Sequence, residues 1–253
     1  MNDPSNDLFA IYATHYRRME VVERLPADPE KLKRDRLPPW ITDVASDARV
    51  IDLGCGQGHL LAALQRVGFT NLSGVDISPQ QLAVARVLLP PSVALQRAEL
   101  HPFLASQPDH SYDLVFLNDV LEHLPRHDTL TVLRHLHRVL AAKGRLSIRV
   151  PNSSTLIGAF TQTIDFTHVT HFSEYSLIQV LEAAGFSPDG LHFDRQAPRL
   201  FWSSQHPNRA LLRLINRLRW HTNNWLHRVL YRLLDMHPQP TIFDTNLVIS
   251  AIK

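Results

Sequence analysis

The chain has 253 residues, 44% hydrophobic and 20% charged, which supplies apolar material for a large folded domain and excludes a disordered chain. Its one cysteine, Cys55, excludes an internal disulfide framework, and no run of about eighteen apolar residues marks a membrane-crossing helix. The net charge of +2 hides an asymmetry: eight arginines, with neither lysine nor acid, lie between Asp194 and Asp235, so the rest of the chain is net acidic.

In chain order, the opening residues lack the basic-then-apolar pattern of a secretory signal, so a cytoplasmic protein is expected. Residues 6–24 carry Phe9, Tyr12 and Tyr16 on a helix-compatible stretch, and 25–40, rich in proline and charge, read as a linker. Residues 1–40 therefore form an N-terminal helix and linker ahead of the core. Arg49–Leu53 is a short strand ending at Gly54, and Leu60, Leu61, Leu64 and Val67 recur at helical spacing until Gly68. The alternation repeats. Asn71–Val75 is a strand, then Ser78-Pro79 starts a helix as N-cap and first-turn proline. Val93–Arg97 and Tyr112–Leu117 are strands, Asp128–Leu140 an amphipathic helix, and Arg145–Val150 a strand entered through Lys143-Gly144 and stopped by Pro151. Ser173–Ala184 is a helix closed by Gly185, and Leu191–Arg195 and Thr245–Ile252 are the last strands. Strands alternating with helices predict an α/β, doubly wound, mostly parallel sheet covered on both faces.

Residues 41–198 and 241–253 make up this core domain, and 199–240 form a helical insertion before the last strand. In the insertion Leu211, Leu212, Leu214, Ile215 and Leu218 follow helical spacing, and a second stretch from Trp225 to Leu234 follows a break expected at Asn223-Asn224. Arginines at 209, 213 and 217, and at 228 and 232, recur every four residues, with Trp220 and Trp225 among the leucines. Residues 199–235 thus read as a basic amphipathic element. It suits peripheral contact with the inner face of an anionic membrane, or packing on the protein's own sheet or a second subunit. A nucleic-acid surface needs no such continuous apolar stripe, so nucleic acid is the least favoured partner.

The first strand runs into Asp52-Leu53-Gly54-Cys55-Gly56-Gln57-Gly58, a strand-to-helix turn where glycines let backbone approach a ligand and a helix N-terminus offers amide donors. Dinucleotide-binding folds use a similar turn. Asp52, just before the glycines, would repel a pyrophosphate but can pair with the ammonium of a methionine moiety. Gly74-Val75-Asp76 then places an acid at the end of the next strand, where it can accept hydrogen bonds from both hydroxyls of a ribose.

With Gly-Val-Asp-Ile-Ser, Tyr-Asp-Leu-Val and Asp-Val-Leu-Glu-His-Leu following that turn, the series resembles class I S-adenosylmethionine (SAM) dependent methyltransferases. The resemblance implies a seven-stranded Rossmann-like sheet with an antiparallel last strand. Asp52, Gly54, Cys55 and Gly56 would hold the methionine portion, Asp76 the ribose, Ile77 the adenine face, Glu99 with Leu100 the adenine edge, and Asn118 would lie beside the sulfonium. The residue before Glu99, often glycine in the family, is Ala98 here. SAM carries its own activated methyl group, so such an enzyme has only to align the acceptor and, for a hydroxyl, remove its proton.

The acceptor side is expected at the ends of the fourth and fifth strands. Acid-x-x-Glu-His followed by a distant His-x-x-x-aromatic-Ser is similar to ubiquinone-biosynthesis enzymes and to terminal-ribose enzymes of small RNAs, whose equivalent residues bind a divalent cation. The matching positions are Asp119, Glu122, His123 and His168, a set that suits Mn²⁺, Fe²⁺ or Zn²⁺ better than Mg²⁺. Leu-Glu-His-Leu also occurs in metal-free relatives, where His168, His123 and Glu122 would serve as base and pocket lining. The remaining histidines, His135 and His137 included, read as helix surface. Pro151-Asn152, Asp165-x-Thr167-His168, Phe172-Ser173-x-x-Ser176-Leu177 and Ala184-Gly185-Phe186 also resemble bacterial surface-polysaccharide methyltransferases. That implies a sugar hydroxyl on a glycan, or on its lipid- or nucleotide-linked precursor, as acceptor. The alternatives are a small-molecule or natural-product O-methyltransferase, a nucleic-acid ribose methyltransferase, and a SAM-binding regulator without catalysis.

Overall fold

The computed structural model describes residues 28–35, 37–195 and 207–253. The helix expected over 6–24 and residues 199–206 of the insertion lie outside them. The strands are β1 (Val50–Leu53), β2 (Leu72–Asp76), β3 (Ala94–Arg97), β4 (Tyr112–Asn118), β5 (Leu140–Pro151), β6 (Leu191–Phe193) and β7 (Asn246–Ile252). They form one seven-stranded sheet in the order β3-β2-β1-β4-β5-β7-β6. Strands β1 to β5 pair in parallel, and β7 is antiparallel to both its neighbours. This is the Rossmann-like methyltransferase topology that the sequence series implies.

The helices are α1 (Pro29–Asp35), α2 (His59–Arg66), α3 (Pro79–Leu88), α4 (Leu100–Ser106), α5 (Arg126–Val139), α6 (Gly158–Thr163), α7 (Glu174–Ala183) and α8 (Pro207–Leu233). Alternation along the central strands sends side chains to two cores. Ile51, Leu53, Val115 and Leu117 join Leu133, Leu136 and Leu181 from α5 and α7 on one face. Val50, Leu114 and Phe116 join Leu61, Leu64 and Leu82 from α2 and α3 on the other. Each such fully buried side chain contributes roughly 1.5–3 kcal/mol. Helix starts follow local chemistry: the Ser78 hydroxyl accepts from the Gln81 amide, and Ser173 forms a reciprocal capping box with Ser176.

Several expectations are corrected. The linker assigned to 25–40 contains α1, and from its end Leu37 joins Ile41 in the core. Trp40 anchors this segment, its indole N–H donating to Asp194 at 2.9 Å while its ring stacks near Phe116. Helices α4 and α6 stand where the sequence pattern predicts none. The break expected at Asn223-Asn224 is absent, and α8 is continuous through it. The two amides are used sideways: Asn223 donates to the Phe243 carbonyl and Asn224 to the Trp220 carbonyl one turn earlier.

The orientation of α8 is inverted relative to a leucine stripe packed on the sheet. The face turned to the body is polar and aromatic, comprising Trp220, Asn223, Asn224, His227 and Tyr231. Trp220 donates to Asp244, Arg195 to Asn224, the Leu156 amide to His227 Nε2 at 2.8 Å, and Tyr231 to the Ser154 carbonyl at 2.9 Å. Leu211, Leu214, Leu218, Trp225, Leu226 and Leu233 face outward, each exposed. No helix among the described residues is long and apolar enough to cross a membrane.

Candidate active site

The sheet order reverses between β1 and β4, and their carboxyl ends open a crevice there, the usual place for a ligand in an open α/β sheet. On one side lies the glycine turn. Gly54, Gly56 and Gly58 all have positive φ, at 76°, 51° and 77°, a region closed to most side chains. At Gly54 a side chain would also overlap Val120, so the turn leaving β1 lies directly against the segment that follows β4. The Gly54 and Cys55 amides both donate to the Val75 carbonyl, at 2.8 and 3.0 Å, which fixes the turn beside the end of β2.

Asp76 ends β2 with one carboxylate oxygen accepting from the Gly56 amide and the other from the Ser78 amide, both at 2.8 Å. Its orientation is thereby set. Burial raises its pKa, against the opposing effect of those two amides. Asp52 is 3% exposed, and its pKa is pushed up to about 7, chiefly by burial and then by Asp76, against a lowering by Arg149. A buried acid at that pKa is poised to ionise when a cation arrives. Burial also drives the Cys55 thiol upward, leaving it a small packed group rather than a nucleophile. Ile77 is half-buried, and its carbonyl accepts from Arg97. Glu99 is exposed at the N-cap of α4, with Leu100 packed on the core behind it. Asn118 closes β4 opposite Arg149.

Past Asn118 the chain turns sharply. Asp119 has φ 54°, and its carboxylate is gripped on both oxygens by Arg149. A 3-10 turn, Leu121–His123, then carries Glu122 into the interior at 0% exposure, with neither carboxylate oxygen receiving a hydrogen bond. Its pKa is raised well above the usual range, first by burial and then by Asp119. The Glu122 carbonyl accepts from the Val169 and Thr170 amides, which brings the segment after α6 alongside. One ligand atom each from Glu122, His123 and His168 lie within 4.8 Å of one another. The two imidazoles meet edge to face, and His168 Nδ1 is buried with no hydrogen-bond partner. Burial and then His168 hold His123 below its usual pKa.

His123 is oriented by a chain of contacts that the sequence did not disclose. The Thr167 hydroxyl lies 2.6 Å from Asp165 Oδ1 and 2.8 Å from His123 Nδ1. A carboxylate can only accept, so the hydroxyl donates to Asp165 and takes its second hydrogen bond from His123 Nδ1–H. The Thr167 carbonyl, 3.3 Å from the same nitrogen, is also only an acceptor. Both contacts select the Nδ1–H tautomer and assign the lone pair to Nε2. Asp-x-Thr is a local turn signature, and the Thr167 amide on Asp165 Oδ1 completes that turn.

The structure thus brings Glu122, His123 and His168 together, while Asp119 is paired with Arg149 and stands outside the three-residue group, because the guanidinium occupies both its oxygens. Arg149 itself escaped the sequence reading. The signal for it was a basic residue two before the strand-ending Pro151. The Asn152 of the Pro-Asn pair is structural: fully buried, it donates to the Ile242 and Asp244 carbonyls and accepts from the Ser154 amide.

A family model described as a methyltransferase domain matches residues 14–189, more than half of the chain. A trans-aconitate 2-methyltransferase of Methylobacterium nodulans is 40% identical over 111 residues, 44% of this chain and 41% of that protein. A ubiquinone biosynthesis O-methyltransferase of Aeromonas salmonicida is 36% identical over 121 residues, 45% of this chain and 48% of that protein. The chain thus matches less than half the length of either relative. Among solved structures, a SAM dependent methyltransferase from Archaeoglobus fulgidus superposes with a TM-score of 0.65 over 96% of this chain and 99% of that one, at 19% identity, a likeness of fold.

Proposed function

The chain belongs to the class I SAM-dependent methyltransferase family, and from that premise we propose that it methylates an oxygen of a small-molecule acceptor held against Glu122, His123 and His168. The observation that carries this reading is the convergence of those three groups beside the Gly54 turn, with both Glu122 oxygens and His168 Nδ1 buried and unpartnered. Buried polar atoms without protein partners are rare in folded proteins and suit a site that receives a polar ligand. The two curated relatives are named for trans-aconitate and for ubiquinone biosynthesis, which supports a small molecule over the glycan acceptor expected from sequence.

The cofactor side follows from the cradle. Asp52, ionised on contact with a cation, suits the ammonium of the methionine portion, and Asp76, already aimed by two amides, suits the ribose hydroxyls. When bound, SAM supplies the activated methyl group. On the acceptor side His123, with Nδ1–H committed to Thr167, has its basic lone pair at Nε2, and His168 offers Nδ1. An acceptor hydroxyl would give its proton to an imidazole as its oxygen takes the methyl group, the C–S electron pair leaving with S-adenosylhomocysteine.

A divalent cation also fits this donor set. Glu122, His123 and His168 would hold it, and ionised Glu122 would gain the counter-charge it lacks. When bound, such an ion would acidify a coordinated hydroxyl. Transfer from radiolabelled SAM to a panel of carboxylic acids, phenols, catechols and sugars, with and without excess chelator, tests the reading. Labelled product that disappears on Glu122→Gln and His168→Ala supports it. A chelator-sensitive rate restored by Mn²⁺ assigns the ion, and a chelator-insensitive one leaves the imidazole as base. Failure to bind S-adenosylhomocysteine would overturn the assignment.

A further inference from the structure

The outward face of α8 carries a long row of exposed apolar side chains. Leu211, Leu218, Trp225 and Leu233 are 57–77% exposed along a helix of 27 residues, about 40 Å long at 1.5 Å per residue. Burial cannot explain this stripe, because the body-facing side is taken by Trp220, Asn223, Asn224, His227 and Tyr231 with their hydrogen bonds. At 3.6 residues per turn the leucine stripe lies diametrically opposite that polar row. Arg217 and Arg228 fall along one flank between the two faces, Arg232 lies at the edge of the leucine stripe on that side, and Arg219 falls along the other flank.

We propose that α8 is an interfacial helix that seats the protein on an anionic lipid surface, leucines and Trp225 in the acyl boundary and flanking arginines at the headgroups. Charge selects this occupant over a second copy of the chain. No acid lies between Asp194 and Asp235, so two α8 helices packed stripe to stripe would bring arginine rows together with nothing to pair them. A lipid surface bearing phosphates supplies the missing counter-charge, and long arginine stems bury while their heads reach it. No described helix is apolar enough to span a bilayer, so α8 lies in its surface. This inference is independent of the acceptor reading.

The test is co-sedimentation of the full chain with vesicles of phosphatidylcholine, with and without phosphatidylglycerol, at low and high salt. The wild type is expected to pellet with the anionic vesicles at low salt and to release by tenfold or more at high salt. Leu218→Glu with Leu226→Glu, and separately Arg228→Glu with Arg232→Glu, each cut binding by at least tenfold. These side chains are exposed, so the variants keep their circular dichroism and bind S-adenosylhomocysteine as the wild type does. Wild type that stays in the supernatant at low salt overturns the proposal. So does a salt-insensitive association with both vesicle types. A lipid-free dimer that Leu218→Glu dissolves, seen by light scattering without vesicle binding, assigns the face to a second copy instead.

Discussion

Cofactor affinity should be linked to the protonation of Asp52. In the free protein its pKa is about 7, raised by burial and by Asp76. Pairing with the ligand ammonium requires the ionised form, so the protonated fraction must give up its proton to bind. One pH unit below the pKa about one molecule in eleven is ionised, so affinity at pH 6 should be roughly tenfold weaker than at pH 8. That is about 1.4 kcal/mol for each unit below the pKa. Titration calorimetry with S-adenosylhomocysteine, repeated in buffers of different ionisation enthalpy, reads both the dissociation constant and the proton released. Close to one proton should leave per ligand at pH 6 and few at pH 8. Asp52→Asn should flatten the profile and weaken binding at pH 8, although Asp76, whose pKa is also raised, is still present in that variant. A dissociation constant that does not move between pH 6 and 8 refutes the reasoning. An equal slope in Asp52→Asn would place the titrating group elsewhere.

Glu122→Gln should abolish transfer yet raise stability at alkaline pH by about 1–3 kcal/mol, because the wild-type carboxyl has a folded pKa raised above its unfolded one and its stabilising contribution is lost as pH rises. Melting curves at pH 5 and 8.5 check this, and a gap that fails to widen with pH counts against a buried, unpaired carboxylate. Thr167→Val should shift the His123 tautomer ratio by about fivefold, the worth of one hydrogen bond near 1 kcal/mol, and Thr167→Ser should restore it. Imidazole ¹⁵N shifts report the ratio directly, and an unmoved His123 signal in Thr167→Val removes Thr167 as its positioning residue.

Legibility in the sequence followed the range of the interaction. Strand and helix alternation is local, so β1 to β5, α2, α3, α5 and α7 emerged from periodicity and caps within a few residues. Short helices such as α4 and α6 lack a full apolar period and escaped. Periodicity also found the stripe on α8 but not its direction. Which face turns inward is decided by partners at Ser154 and Leu156, some seventy residues away in sequence, and at Phe243, beyond the end of the helix. At the site, Glu122, His123 and His168 came from a motif. Asp119 was assigned with them because spacing cannot reveal that Arg149, on the neighbouring strand, takes its carboxylate. The Asp165-Thr167-His123 chain spans forty-odd residues and depends on the Glu122 carbonyl, which holds the Val169 and Thr170 amides alongside.

Helix α8 is fastened by directional bonds to named partners, and this constrains motion in a way that apolar contact would not. A greasy face tolerates rolling, since one methyl replaces another at little loss. The Leu156 amide accepts no substitute for His227 Nε2, nor the Ser154 carbonyl for the Tyr231 hydroxyl, so a roll of even one residue would part both pairs. The azimuth of the helix is therefore locked to the loop that follows β5, on the chain segment leading to His168. Whatever plane its outer face rests on, the mouth of the crevice meets that plane at a fixed tilt, as a keel fixes the attitude of a hull.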